Sequence, residues 1–279
     1  MIQAVFKGKS LGYEWKEDIL TSTVFGILKC IRPDMLLIPF IESAFLYNEQ
    51  RTQLWETLFS EGIELRCYRE IEYVFWTWNQ NYGEPDLILI FRNHIHGLED
   101  LLLVVEAKFK SGKSGTGEKD QLARYYEAIN SDIDNFAESS VSSFKGRKGF
   151  IVYLTETKAY LDIETSNKII QTKHQEVEEI VFHLRWHQLS KTIEKMYQFY
   201  TLFEKTMVDD LIKYMDKLGL RDFSGISLPG KPLNLAFLLK YPIFYNYDNS
   251  INEKKTYFEQ LDDVEISLEE NIFYKGEYV

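Results

Sequence analysis

Two carboxylates and an amine stand where a β-hairpin would bring them together. Asp86 ends a Gly-Glu-Pro-Asp stretch and opens the apolar run 87–91; Glu106-Ala107-Lys108 closes a second apolar run, 101–105. Both runs are short, rich in leucine and β-branched residues and bounded by turn formers, the pattern of two paired strands. The loop between them, 92–100, holds Asn93 and Gly97, which suit a turn. Side chains alternate faces along a strand, so Glu106 and Lys108 point one way and Ala107 the other. In an antiparallel hairpin the start of one strand lies beside the end of the next, which makes Asp86 and Glu106 expected neighbours. Two hard oxygen ligands, one from each carboxylate, with water in the remaining positions, are how a protein holds Mg²⁺, or Mn²⁺ in its place.

These residues resemble the PD-(D/E)XK nuclease superfamily, whose pattern is Pro-Asp, a hydrophobic strand, then Glu-x-Lys after a hydrophobic lead-in. Here it reads Pro85-Asp86, then Glu106-Ala107-Lys108, and Gln121-x-x-x-Tyr125 is similar to the additional motif of the RecB-like exonuclease branch. Explicit motifs cover about a sixth of the chain; each is short, and their joint spacing carries the signal. The resemblance implies a restriction-endonuclease-like α/β (α+β) fold, a central mixed sheet flanked by helices. It also implies Mg²⁺ or Mn²⁺ on Asp86, Glu106 and the Ala107 carbonyl, catalysis with Lys108, and Gln121 and Tyr125 projecting toward the hairpin. DNA is the implied substrate and restriction, repair or phage defence the implied role. Taken one at a time, Glu-x-Lys reads as a solvated cross-strand pair and Pro-Asp as a turn.

Several further elements must position these groups. Helical spacing runs from Trp15 to Cys30, with Glu17, flanked by Glu14 and Asp18, where a first-helix acid could face the metals. Complementing the helix dipole is the simpler role for it and is preferred. Residues 35–47 read as a short buried segment, 48–60 as a helix, and 63–78 as one long strand or two. A helical stripe covers 119–137, with Gln121 and Tyr125 one turn apart. Residues 149–155 and 180–186 read as buried strands, and the polar stretch 156–179 as an excursion or short helix. Helical spacing returns over 189–218, with a break near Thr206. The chain divides at about 190 into a core, 1–190, and a C-terminal extension of helices and an aromatic, proline-containing stretch, 191–279. From 220 on that stretch reads as an appended subdomain or a wrapping tail with short strands, whose aromatics pack on the core in preference to stacking on bases.

Composition narrows the function. The chain has 279 residues, of which 45% are hydrophobic and 15% aromatic, enough for a large core. A formal charge of −11 excludes a protein that coats nucleic acid generally, yet leaves room for a nuclease with a local basic groove. Lys108, Lys110, Lys113, Lys119 and Arg124 supply one basic cluster, and Lys145, Arg147 and Lys148 a second. The glycine-rich loop 111–117 fails the phosphate-cradling pattern in both registers: Ala107 stands where the first glycine belongs, and Glu118 where the lysine would. It reads instead as a mobile loop whose lysines meet DNA phosphates. His94 and His96 read as a polar turn rather than a metal site, and no Gly-x-Ser-x-Gly turn is present. Two cysteines, Cys30 and Cys67, no long apolar run and no secretory leader point to a reduced, cytoplasmic setting. The alternative to a nuclease is a binding or assembly subunit that keeps the fold, with a protein partner or a second copy of itself.

Overall fold

The computed structural model describes residues 16–68, 70–93, 99–133, 136, 148–174 and 181–220. All of them belong to one compact unit, Met1–Phe223. The expectations for His94 and His96, for Lys145 and Arg147, and for the aromatic tail beyond 220 lie outside the described residues.

A five-stranded mixed sheet forms the middle layer, in the order β1 (Glu70–Phe75), β2 (Leu87–Arg92), β3 (Leu101–Ala107), β4 (Lys148–Thr155), β5 (Val181–Arg185). β1, β2 and β3 pair antiparallel; β4 and β5 add in parallel. β2 and β3 are buried along their whole length, as their unbroken apolar runs require of strands covered on both faces. Alternation then splits them. Leu87, Leu89, Phe91, Leu101, Leu103 and Val105 enter one core, and Ile88, Ile90, Leu102 and Val104 the other. Each such side chain contributes about 1.5–3 kcal/mol by leaving water.

The first core is closed by α1 (Lys16–Leu28), α2 (Leu37–Glu42), α3 (Leu54–Ser60), α6 (Trp186–Met196) and α7 (Leu202–Leu218). The second is closed by α4 (Gln121–Ser131) and α5 (Tyr160–Lys173). α4 links β3 to β4 and α5 links β4 to β5, both parallel crossovers stepping in the same direction. Since such crossovers are right-handed, both helices belong on one face, where they lie.

Two expectations change and two open alternatives are resolved. Residues 37–42 are a helix, because Pro39 sits in the first turn, where its missing N–H costs nothing. The 63–78 stretch yields a single regular strand, preceded by a 3₁₀ turn at Leu65–Cys67. The polar stretch after β4 holds a 14-residue helix, α5, which buries only Ile163, Ser166, Asn167 and Ile170. The C-terminal helices part at Tyr197–Tyr200, not at Thr206: the Thr201 hydroxyl caps α7 at the Glu204 N–H, and Glu204 returns a bond to the Thr201 N–H at 2.8 Å. The division drawn at residue 190 falls within α6, whose Leu189 and Ile193 share the core with the sheet.

Candidate active site

The Leu87↔Val105 pairing, carried one step further, sets Asp86 opposite Glu106. Both have even numbers in strands whose even residues face α4, so both carboxylates leave the same side of the sheet edge. Asp86 Oδ2 accepts the Ala107 N–H at 2.9 Å. Its other oxygen has no protein donor among the described residues. Glu106 is 1% exposed and receives two donors: Lys108 Nζ on Oε1 at 2.6 Å and the Tyr125 hydroxyl on Oε2 at 3.0 Å. Gln121 Nε2 donates in turn to the Tyr125 oxygen at 2.9 Å. Asp120 caps the same helix, accepting the Ala123 N–H at 3.0 Å, and so sets the face on which Gln121 and Tyr125 lie one turn apart.

Lys108 is held from several sides. Its ammonium donates to Glu106 and, at 3.1 Å, to Glu17 Oε1. Its backbone N–H donates to the Leu154 carbonyl at 2.7 Å, and its carbonyl accepts the Trp186 indole N–H at 3.1 Å. Glu17 Oε2 also accepts the Phe109 N–H at 2.8 Å and the Ser111 hydroxyl. Glu17 therefore does more than complement the dipole of α1: it closes the cluster from the other core. Ser111 and Trp186 are partners the sequence did not reveal. No local signal marks Trp186, which meets Lys108 across 78 positions of sequence.

The electrostatics are lopsided. Burial, then the charge of Glu106, pushes the pKa of Asp86 well above the ordinary carboxylate value. Burial raises Glu106 as well, by more than Lys108 and Tyr125 pull it down. Burial works against the Lys108 ammonium, but Glu106, Asp86 and Glu17 together hold its pKa above that of an exposed lysine. Burial and the neighbouring Glu106 push the Tyr125 hydroxyl up, so it remains a donor.

All five of Asp86, Glu106, Lys108, Gln121 and Tyr125 thus gather at one end of β3. Within the basic loop, Lys110 and Lys119 are exposed, but one lysine departs from the expectation. Lys113 turns inward, pairing with Asp120 and donating to the Asp162 carbonyl at 2.9 Å and to Ser166 Oγ at 2.6 Å. It tethers the 109–120 loop to α5 instead of facing phosphate. Lys148 of the second cluster pairs with Glu61.

Among the described residues no group of three or more His, Cys, Asp and Glu side chains is arranged to hold a metal ion. Lys108 fills the space between Glu17 and Glu106, which leaves Asp86 and Glu106 as a two-carboxylate donor set. That set fits Mg²⁺, which keeps several waters and takes one or two carboxylates. No helix among the described residues is long and apolar enough to cross a membrane. Comparison of the chain with protein-family models, with curated proteins and with solved structures finds no match.

Proposed function

We propose that the protein is a divalent-cation-dependent nuclease of the PD-(D/E)XK kind that hydrolyses phosphodiester bonds in DNA. The observation that carries this reading is the charge imbalance. Glu17, Asp86 and Glu106 surround the one ammonium of Lys108, and both buried carboxylates have raised pKa values. A buried carboxylate with a raised pKa lacks compensating charge, and a hard divalent cation supplies it.

Asp86 and Glu106 would hold the cation, with the Ala107 carbonyl as a further ligand. Mg²⁺ or Mn²⁺, when bound, supplies a water of lowered pKa and screens charge on the leaving oxygen. The rest falls to the chain. An ammonium has three N–H donors; two of those on Lys108 go to Glu106 and Glu17, and the third is left for a water or a phosphate oxygen. Tyr125 fixes the orientation of Glu106, and Gln121 fixes Tyr125. Trp186 and the β4 carbonyl hold the Lys108 backbone so that its side chain leaves the strand toward the acids. Cys30 and Cys67 are both free thiols, which suits a reduced cytoplasmic setting, and a defence, restriction or repair role follows by analogy with the family the motifs resemble.

The test is linear and plasmid DNA incubated with Mg²⁺ or Mn²⁺ and, separately, with chelator. Cleavage by the wild type, and none by folded Asp86→Ala or Lys108→Ala, is the expected result. Equal activity in all three proteins removes the assignment. A second reading, an assembly subunit with this fold, is favoured by Phe199, Leu202 and Phe203, exposed together around the α6–α7 joint. It predicts a concentration-dependent mass in light scattering that Leu202→Lys abolishes.

A further inference from the structure

The turn between β1 and β2 carries a feature that the proposed chemistry does not use. Phe75 and Trp76 are consecutive, yet both enter the same core. Strand alternation forbids this, and the left-handed φ of 48° at Trp76 is what permits it. A bulky residue rarely adopts that conformation, and a break of this kind re-aims the side chains after it. Trp78, two residues on, is turned outward: its indole is 67% exposed while Trp76 is 4% exposed. The turn is well held. Asn79 and Gly83 exchange both backbone hydrogen bonds at 2.9 Å, and Asn79 Oδ1 accepts the Asn81 and Tyr82 N–H groups. Tyr82 packs edge-on against Phe136, with ring centroids 5.9 Å apart.

The Trp76 N–H bonds the Asp86 carbonyl, so Trp78 stands two positions beyond Asp86 along the ladder. The Asn79–Gly83 bridge carries the β1–β2 register on into the turn. A cation lies on the same turn. Arg124 of α4 packs its guanidinium so near Gly83 that a Cβ there would meet its Nη1 at 3.3 Å, and Gly83 has a φ of 93°. The Nε of Arg124 is buried without a hydrogen-bond partner, so no carboxylate holds it through that atom. Arg124 sits between Gln121 and Tyr125 on the helix that carries both.

We propose that Trp78 and Arg124 form a clamp for single-stranded nucleic acid beside the carboxylate cluster. The indole stacks on an unpaired base, and the guanidinium takes the phosphate adjoining the one to be cut. A base inside an intact duplex presents no free face to an indole, so the clamp selects single strands or frayed ends. The proposal rests on the nuclease reading for its site.

The experiment measures binding of a fluorescein-labelled oligothymidylate and of a duplex to the full chain by anisotropy, in chelator, with cleavage scored separately in Mn²⁺. Tighter binding of the single strand is expected. Trp78→Ala, a change at an exposed side chain, should weaken it about 5- to 100-fold, with Trp78→Phe retaining most of the affinity. Arg124→Gln should lower the slope of log affinity against log salt by about 0.7, one phosphate contact on a single strand. Unchanged affinity in Trp78→Ala, or no binding of the single strand by wild type, overturns the clamp. Binding lost in Trp78→Ala without cleavage by any form supports the clamp and removes the nuclease reading; cleavage with Trp78→Ala binding normally does the reverse.

Discussion

Replacing Asp86 with Asn should stabilise the protein, which is unusual for a buried polar position. The amide oxygen can still accept the Ala107 N–H, now made to Oδ2 at 2.9 Å, while the charge disappears. Directly opposed residues of an antiparallel pair have Cβ atoms about 5 Å apart. Two unit charges at that separation repel by about 3 kcal/mol at an effective dielectric constant of about 20. Lys108 returns part of this, since its ammonium lies 2.6 Å from Glu106 and also feels Asp86. Exchanging a charged acceptor for a neutral one gives back roughly another 1 kcal/mol. The net gain is about 1–2 kcal/mol, or a rise in Tm of roughly 2–8 °C for a chain of this size. The pH dependence fixes the sign. The folded-state pKa of Asp86 is raised above its unfolded value, so its favourable contribution is complete below the unfolded pKa and is lost as pH rises through the folded one. The advantage of Asn therefore grows as pH rises through the folded-state pKa and shrinks toward about pH 4. Differential scanning calorimetry of both proteins in chelator, across that range, measures it. A variant less stable than wild type in neutral buffer, or a difference that does not move with pH, would refute the reasoning.

The same groups support other expectations. Lys108→Met strands Glu17 and Glu106 around an apolar side chain and should cost about 3–5 kcal/mol in urea denaturation at neutral pH, as breaking a buried pair does; a cost under about 1 kcal/mol would mean that the ammonium is not what compensates these acids. His183 is fully buried, with Nε2 2.9 Å from Thr155 Oγ1 and Nδ1 2.7 Å from the Tyr47 hydroxyl. Thr155 donates to the Thr157 carbonyl, so it accepts from Nε2, and Nδ1 accepts from Tyr47. Burial, then Arg185, lowers the pKa of His183 from 6.5 to about 3. Stability should thus fall as pH drops below 6.5, by up to about 1.4 kcal/mol per pH unit from this residue, levelling near pH 3. His183→Gln should flatten that limb of the stability–pH curve, and an unchanged limb would assign it elsewhere.

How far the sequence announces this arrangement depends on which signal a residue carries. Residues 87–91 and 101–105 are apolar without interruption, so the hairpin and the convergence of Asp86 with Glu106 and Lys108 follow from strand period alone. α5 hides because its buried stripe, Ile163, Ser166, Asn167 and Ile170, has perfect helical spacing but two polar members. Ser166 is buried to meet Lys113 and Asp120, contacts a hydropathy pattern cannot show. Lys113 has the look of a phosphate-facing lysine, and only tertiary structure turns it inward. Helical spacing sets the break near Thr206, whereas the capping box of Thr201 and Glu204 starts α7 at Leu202. The packing of Trp186 on Lys108, and the left-handed Trp76 that re-aims Trp78, have no counterpart in local sequence.

The function proposed for this chain requires that the acids around Lys108 form a divalent-cation site. Calorimetric titration of Mn²⁺ into the wild-type chain and into Asp86→Asn tests this most directly. A binding isotherm in the wild type that disappears in the variant is the predicted result. No heat in the wild type, or the same isotherm in both, would contradict it.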